Sequence, residues 1–446
     1  MRGATLSNMP IISNINLKGT QNDKFRTERS KYRQEKYLER TKREISHIGE
    51  RVGMIDEILS IVKKHEEWRG TQCLNLIPSE NVMSPAARAL LSSELAHRYT
   101  ATDRFYMGTH FTDEIEKYGE KVAKQVFEAE TADLRPLSGH IADLIVLANL
   151  TRPGDKLMCI SPEDGGYPGM WENGLAGLLR LKAVPFPFSK QNMNISVEEA
   201  KETINQVKPK IVVFGASLIT FPHPVKDLAE VAGENGAYVG FDGSHVLGLI
   251  GGGRFQDPLR EGAQALFGST HKTFFGPQGG IILANKEPGE LIKDKIYPAF
   301  VDNAHWNRIA ALTLALAEMK EFGKAYATQL VRNSKTLAKT LNDFGFPVIC
   351  SHLGFTQSHQ AILDYGDYEK GRVIAEKLQR ANIIVDCVIR IGTCEVTRRG
   401  MKEPEMLRIA ELLKRAVIDA EKPESMKRDV EKLSSEFQKV EYCFER

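Results

Sequence analysis

The chain has 446 residues, 42% apolar, 26% charged and 8% aromatic, which is ample for a large core and excludes a peptide, a lone binding module or a disordered chain. Sixty Lys and Arg against fifty-eight Asp and Glu leave a formal charge of +2, so no global field points to a nucleic acid or an anionic membrane. Cysteines 73, 159, 350, 387, 394 and 443 lack C-x-x-C spacing, no apolar run reaches the ~18 residues that cross a bilayer, and the first twenty residues lack a signal peptide's apolar core; a reduced, metal-free, cytoplasmic protein is expected.

From Lys24 to Arg43, nine basic residues occupy a Pro-free, helix-compatible stretch with Tyr32, Tyr37 and Leu38 as apolar points. Residues 1–68 are therefore expected to form a helical arm whose charged side is solvated. Residues 69–325 alternate short apolar runs with amphipathic helical stretches. Lys156–Ile160, Lys210–Phe214, Ala237–Phe241, Ala265–Gly268 and Gly280–Ala284 read as strands. Such alternation implies right-handed crossovers and a mostly parallel sheet covered on both faces, an α/β domain. A long helical stretch follows from about Asn307 to Phe344. Residues 326–446 read as a smaller α+β domain, with strands at Pro347–Cys350, Gln360–Asp364 and Ile383–Asp386 and helix-forming sequence from Glu403.

In an open α/β sheet the ligand lies beyond the carboxyl ends of the strands. The residues found there form a set: Asp242-Gly243-Ser244-His245 after one strand, and Ser269-Thr270-His271-Lys272-Thr273 after the next, followed by Gly276-Pro277-Gln278-Gly279-Gly280. Earlier, Ser138-Gly139-His140 opens a helix, where N–H groups and the helix dipole favour phosphate. A lysine amine can condense with an aldehyde, an acid can hold a pyridine nitrogen protonated, and a helix start can hold a phosphate. Together these are the needs of pyridoxal 5'-phosphate.

These segments resemble serine hydroxymethyltransferases, within the aminotransferase-like fold type I of pyridoxal phosphate enzymes, from about Leu74 to Met406. The likeness rests on Leu76-Ile77-Pro78-Ser79-Glu80-Asn81, on the Asp242 and Lys272 segments, and on Ile389-Arg390-Ile391-Gly392-Thr393 running into Thr397-Arg398-Arg399-Gly400. The resemblance implies that Lys272 is the Schiff-base lysine, Asp242 the pyridinium partner and Arg390 the clamp on the substrate carboxylate. It implies that Ser138, Gly139 and His140 hold the phosphate end, that Ser217, His245 and Thr270 lie near the coenzyme, and that Tyr167 stacks where the family has a histidine. Ser79 would lie near the carboxylate. Tyr99 and Tyr106 would come from a neighbouring subunit, making a homodimer or a dimer of dimers. His245 is a candidate base for the β-hydroxyl proton, with His271 and Asp103 as alternatives.

The sequence also departs from the family. Its Tyr-x-Glu-Gly-Tyr-Pro-Gly segment, whose glutamate handles a proton of the folate reaction, reads Tyr99-Thr100-Ala101-Thr102-Asp103-Arg104-Phe105-Tyr106. A folate-touching loop is reduced to Cys387-Val388, and the arginine of Gly-Pro-Arg-Gly-Gly is Gln278. The expected activity is formation or cleavage of the Cα–Cβ bond of a β-hydroxy-α-amino acid through a quinonoid, without folate, as in an aldolase or threonine transaldolase. The Gly354-Phe355-Thr356-Gln357-Ser358-His359 run is similar to those of transaldolases. The alternatives are a tetrahydrofolate-dependent serine hydroxymethyltransferase and other chemistry at Cα, namely transamination, racemisation or decarboxylation.

Overall fold

The computed structural model describes Lys36, Glu39, residues 53–100 and residues 105–445. The basic stretch Lys24–Arg43 therefore lies outside the described residues except for Lys36 and Glu39, both helical, and Asp103 lies outside them too. The chain divides into two compact units, Met1–Trp68 and Arg69–Arg446. In the first, residues 53–67 are helical.

The second unit is built on a seven-stranded sheet. Its strands are β1 (Thr131–Asp133), β2 (Lys156–Cys159), β3 (Lys182–Pro185), β4 (Ile211–Phe214), β5 (Tyr238–Asp242), β6 (Ala265–Ser269) and β7 (Gly280–Ala284). They lie in the order β1-β7-β6-β5-β4-β2-β3. Only β7 runs against its neighbours; the remaining pairings are parallel. The five expected central strands are all present, because strands buried on both faces read as continuous apolar runs: every residue of β4, β6 and β7 is buried.

The two outer strands escaped sequence reading for the opposite reason. β1 has three residues, and β3, Lys-Ala-Val-Pro, is partly exposed and ends in the proline that an edge strand tolerates.

Helices α1 (His110–Phe127), α2 (Gly139–Leu150) and α3 (Trp306–Asp343) cover the sheet or pack on one another. Helix α2 is apolar nearly all round, as a helix buried against β6 and β7 must be, with Asp143 as its one charged residue. Helix α3 has 38 residues, roughly 57 Å at 1.5 Å per residue. Its residues up to Leu330 join the core around the sheet, and those from Leu337 join a second core. That second core gathers residues from Leu74 and Leu76 and from the C-terminal third.

In the C-terminal third, β8 (Gln360–Ile362) pairs antiparallel with β9 (Arg390–Gly392), and Leu74–Asn75 pairs in parallel with Ile383–Ile384. The expected strand Pro347–Cys350 is corrected: only Val348 makes an isolated bridge, to Leu363. Cys350 turns left-handed (φ 57°) to open a short 3-10 turn, which ends any extended run. Helix α4 (Glu403–Val417) and a further helix, Pro423–Glu436, close the chain.

Candidate active site

The carboxyl ends of β5 and β6 are clipped together before they present any side chain. Asp242 Oδ1 accepts the Ser244 N–H at 2.9 Å, and Ser244 Oγ accepts the Ser269 N–H at 2.9 Å. Gly268 makes this close approach possible: at φ 146°, a Cβ there would lie 2.6 Å from the Ser244 nitrogen.

The chain then loops from Ser269 to Gly280 and returns as β7, carrying Lys272. Thr270 spends its N–H on Gly279 O (3.1 Å) and its hydroxyl on Pro277 O (2.7 Å), while Gly276 N–H closes on Thr270 O (2.8 Å). Thr270 therefore shapes the loop. Asn81 donates to the Lys272 carbonyl at 2.8 Å, and Thr273 Oγ1 accepts the Gly248 N–H at 3.0 Å. Beneath the loop, the Arg398 guanidinium lies 3.7 Å from the Phe275 ring centre and pairs at 2.8 Å with Glu318, both side chains fully buried. The Thr397–Gly400 segment thus supports the lysine loop from below; Thr397 Oγ1 in turn accepts from Asn333 of α3 at 2.8 Å.

The side chain of Lys272 makes no ion pair among the described residues. Burial pulls its ammonium below the usual lysine range and the Arg390 charge adds to this, against the opposing pull of Asp242 and Asp143. The amine is thereby moved toward the neutral, nucleophilic form.

Ser138 caps α2, its Oγ accepting the Ile141 N–H at 3.1 Å. The first N–H groups of the helix, at Gly139 and His140, have no intrahelical acceptor and remain available for an anion. Gly139 has no room for a side chain, since a Cβ would lie 2.3 Å from Ser269 Oγ. Tyr167 OH lies 3.2 Å from His140 Nδ1, the rings edge to face.

Arg390, opening β9, is held at two points. Its Nε donates to Asp386 at 2.8 Å and one terminal nitrogen to the Ser217 carbonyl at 2.8 Å, leaving Nη2 for a ligand. Ser217 thus contributes its carbonyl to the arginine. Leu76 O accepts the Gly392 N–H at 2.7 Å, and a Cβ on Gly392 would strike Pro78 at 2.3 Å, so the turn carrying the half-buried Ser79 lies alongside β9. Tyr99 and Tyr106 pack on each other, 4.9 Å between ring centres, and are 44% and 39% exposed.

Three histidines surround this crevice. His245 is buried, stacked on His359 at 5.6 Å, and burial with the nearby Lys272 and Arg390 charges pushes it well below the usual imidazole range. Burial, with Lys272, pushes His271 down to about 4, and burial, with Arg390, pushes His359 down to about 3. His223, behind β4, is pushed down to about 4 by burial alone.

These depressed values set an acid limit on stability. The unfolded chain, with histidines near 6.5, binds protons that the folded chain refuses, so stability is full above pH 6.5 and falls as pH drops toward 4. His223 and His359 should each remove roughly 2 kcal/mol by pH 5. The urea midpoint of the protein is expected to be clearly lower at pH 5 than at pH 7.5; equal midpoints would contradict neutral buried imidazoles.

The residues present fit pyridoxal phosphate: an amine shifted toward neutrality, an acid at a strand end, a helix start with spare N–H groups, and three orphaned buried atoms, Asp143 Oδ1, His271 Nδ1 and His359 Nδ1, with no hydrogen-bond partner among the described residues. Asp143 escaped sequence reading. Burial, with the nearby Asp242 charge, raises its carboxyl well above the usual carboxylate range. A single acid inside the apolar helix Gly139–Leu150 was the available signal. His359 and Gln360 were also missed as site residues.

Cys387-Val388 borders a cavity of about 380 Å³, whose lining includes Gly165, Leu218, Tyr365 and Tyr368. Among the described residues no group of His, Cys, Asp or Glu could hold a metal ion, and no helix is long and apolar enough to cross a membrane.

A family model described as serine hydroxymethyltransferase matches residues 52–413. The serine hydroxymethyltransferase of Methanocella arvoryzae is 45% identical over 390 residues, 83% of this chain and 92% of that one. That of Methanocaldococcus jannaschii is 44% identical, over 86% of this chain and 94% of its own. Among solved structures, the L-threonine transaldolase from Pseudomonas fluorescens, in its internal aldimine state, superimposes with a TM-score of 0.83 at 26% identity, covering 90% of this chain and 96% of that one.

Proposed function

Because the chain belongs to the serine hydroxymethyltransferase family, a family of pyridoxal 5'-phosphate-dependent transferases, we propose that its crevice makes and breaks the Cα–Cβ bond of a β-hydroxy-α-amino acid of the glycine, serine and threonine class. The observation that carries this reading is the convergence of Lys272, Asp242 and Arg390, close enough for the charges of the other two to act on the Lys272 amine.

Bound pyridoxal phosphate supplies an electron-withdrawing ring conjugated to the substrate nitrogen. Lys272 would supply the amine that holds the coenzyme through its aldehyde. Asp242, fixed by the Ser244 N–H, would be the acid that holds the ring nitrogen protonated. Ser138 and the N–H groups of Gly139 and His140 would hold the phosphate, and Tyr167, beside His140, would lie against the ring. Arg390 takes the substrate carboxylate on its remaining terminal nitrogen, with Ser79 alongside, and so orients the bond that breaks. Tyr99 and Tyr106, exposed on this chain, complete the site of a second copy in a homodimer.

With a base beside them to take the β-hydroxyl proton, these groups suffice for the bond-breaking step. With Ala101 in place of the family's glutamate and a two-residue Cys387-Val388 connection, the aldehyde leaves and enters free, as in an aldolase or transaldolase. A second reading, transfer of the one-carbon unit to a folate-type carrier, is favoured by the name that relatives 41–45% identical carry. Product analysis separates them. Glycine with an aldehyde and no carrier is expected to yield a β-hydroxy-α-amino acid, whereas turnover of serine only with tetrahydrofolate would establish the second reading. Keto-acid, racemised or decarboxylated products would overturn both.

A further inference from the structure

Gln360, the first residue of β8, is fully buried and belongs to no motif of the sequence. Its amide touches three elements. Oε1 accepts the Ile219 N–H at 3.2 Å, and Nε2 donates to the Ser217 carbonyl at 3.1 Å. These two partners fix which end of the amide is oxygen, because a flipped amide would set N–H against N–H and oxygen against oxygen. The second hydrogen of Nε2 is left facing His245 Nδ1, 3.2 Å away, which is nearer than the other imidazole within reach, His359 Nε2 at 3.5 Å.

An amide nitrogen has no lone pair to accept with, so His245 Nδ1 is the acceptor and the imidazole proton sits on Nε2. Nε2 has no hydrogen-bond partner among the described residues. The groups facing His245 are Lys272, Arg390, His359 and His271, none of them an acid that would hold a proton on Nδ1.

We propose that Gln360 is a positioning residue that locks His245 as the Nε2–H tautomer, making His245 a hydrogen-bond donor to an oxygen anion in the crevice rather than the base that removes the β-hydroxyl proton. His245 was the first candidate for that base in the sequence; proton removal then falls to another group, and His271, with its bare Nδ1, stands beside the lysine. The donor role rests on the coenzyme reading above, but the tautomer does not.

The test is a long-range 15N–1H correlation spectrum of histidine-labelled protein, without and with pyridoxal phosphate, the His245 signal being identified by its loss in His245→Asn. A fixed Nε2–H pattern is expected in both samples; an Nδ1–H pattern, or averaging of the two, overturns the proposal. Gln360→Glu presents a carboxylate to Nδ1 and should invert the pattern or protonate the ring. Gln360→Met, of similar volume and without an amide, should give averaging. A His245 that keeps the fixed Nε2–H pattern in a folded Gln360→Met protein shows the lock to lie elsewhere and overturns it equally. With coenzyme bound, Gln360→Glu should shift the pH midpoint of the visible absorbance. Failure to bind coenzyme at all would sink the functional reading and leave the tautomer result standing.

Discussion

Replacing Lys272 by alanine should abolish the visible absorbance of the protein incubated with pyridoxal phosphate and lower kcat by at least about 10³-fold, the scale of loss when the group that bonds covalently to the reacting molecule is removed. The loss should be chemical and not structural. The loop that carries Lys272 is held through its backbone, by Asn81 on the Lys272 carbonyl, by Thr270 and by Gly276, none of which needs the lysine side chain. A half-buried amine beside the Arg390 charge is also a local cost to folding, as its lowered proton affinity shows, so its removal should leave the thermal midpoint of the coenzyme-free protein unchanged or raised. Retention of both colour and turnover would contradict the role of Lys272. Loss of both with a collapsed midpoint would show that the loop had been misjudged as self-supporting.

The second large effect concerns Arg390. Its guanidinium is braced by Asp386 and by the Ser217 carbonyl, so the terminal nitrogen left over is held in a fixed plane. Truncation to alanine removes a charged, oriented partner from a substrate carboxylate in a largely enclosed site, about 3 kcal/mol, or roughly 10²-fold in KM for the amino acid. Arg390→Lys keeps the charge, but an ammonium cannot bridge Asp386, the carbonyl and a carboxylate in one plane, so about tenfold is expected even there. Kinetics with serine, threonine and glycine, together with coenzyme affinity, check this. KM should rise while the coenzyme binds as before; unchanged KM values would remove the clamp.

The central strands were legible because burial on both faces forces continuous apolar sequence, and the 38-residue helix because its period persists over ten turns. Strand β9 was not, although it carries Arg390: it is three residues long and made by pairing with Gln360–Ile362, some thirty positions away. The candidate site divides in the same way. Asp242, Lys272 and Arg390 follow short runs of distinctive sequence, so their neighbourhoods identify them. Thr397-Arg398-Arg399-Gly400 was equally distinctive, and it proves to hold the lysine loop through the Arg398 stack on Phe275 and the Glu318 pair.

Gln360 was hidden because its meaning lies in partners 115 and 141 positions away, His245 and Ile219, which no local pattern brings together. Asp143 announces itself only as an acid out of place in an apolar helix, and its consequence, a carboxyl whose proton affinity is raised beside Asp242, comes from burial that sequence does not show.

Borohydride reduction of the coenzyme-loaded protein, followed by peptide mapping, bears most directly on the chemistry assigned to this crevice. The phosphopyridoxyl group is predicted on the single peptide containing His271-Lys272-Thr273, and glycine added before reduction should displace it. Labelling of a different lysine, or of none, would contradict the account.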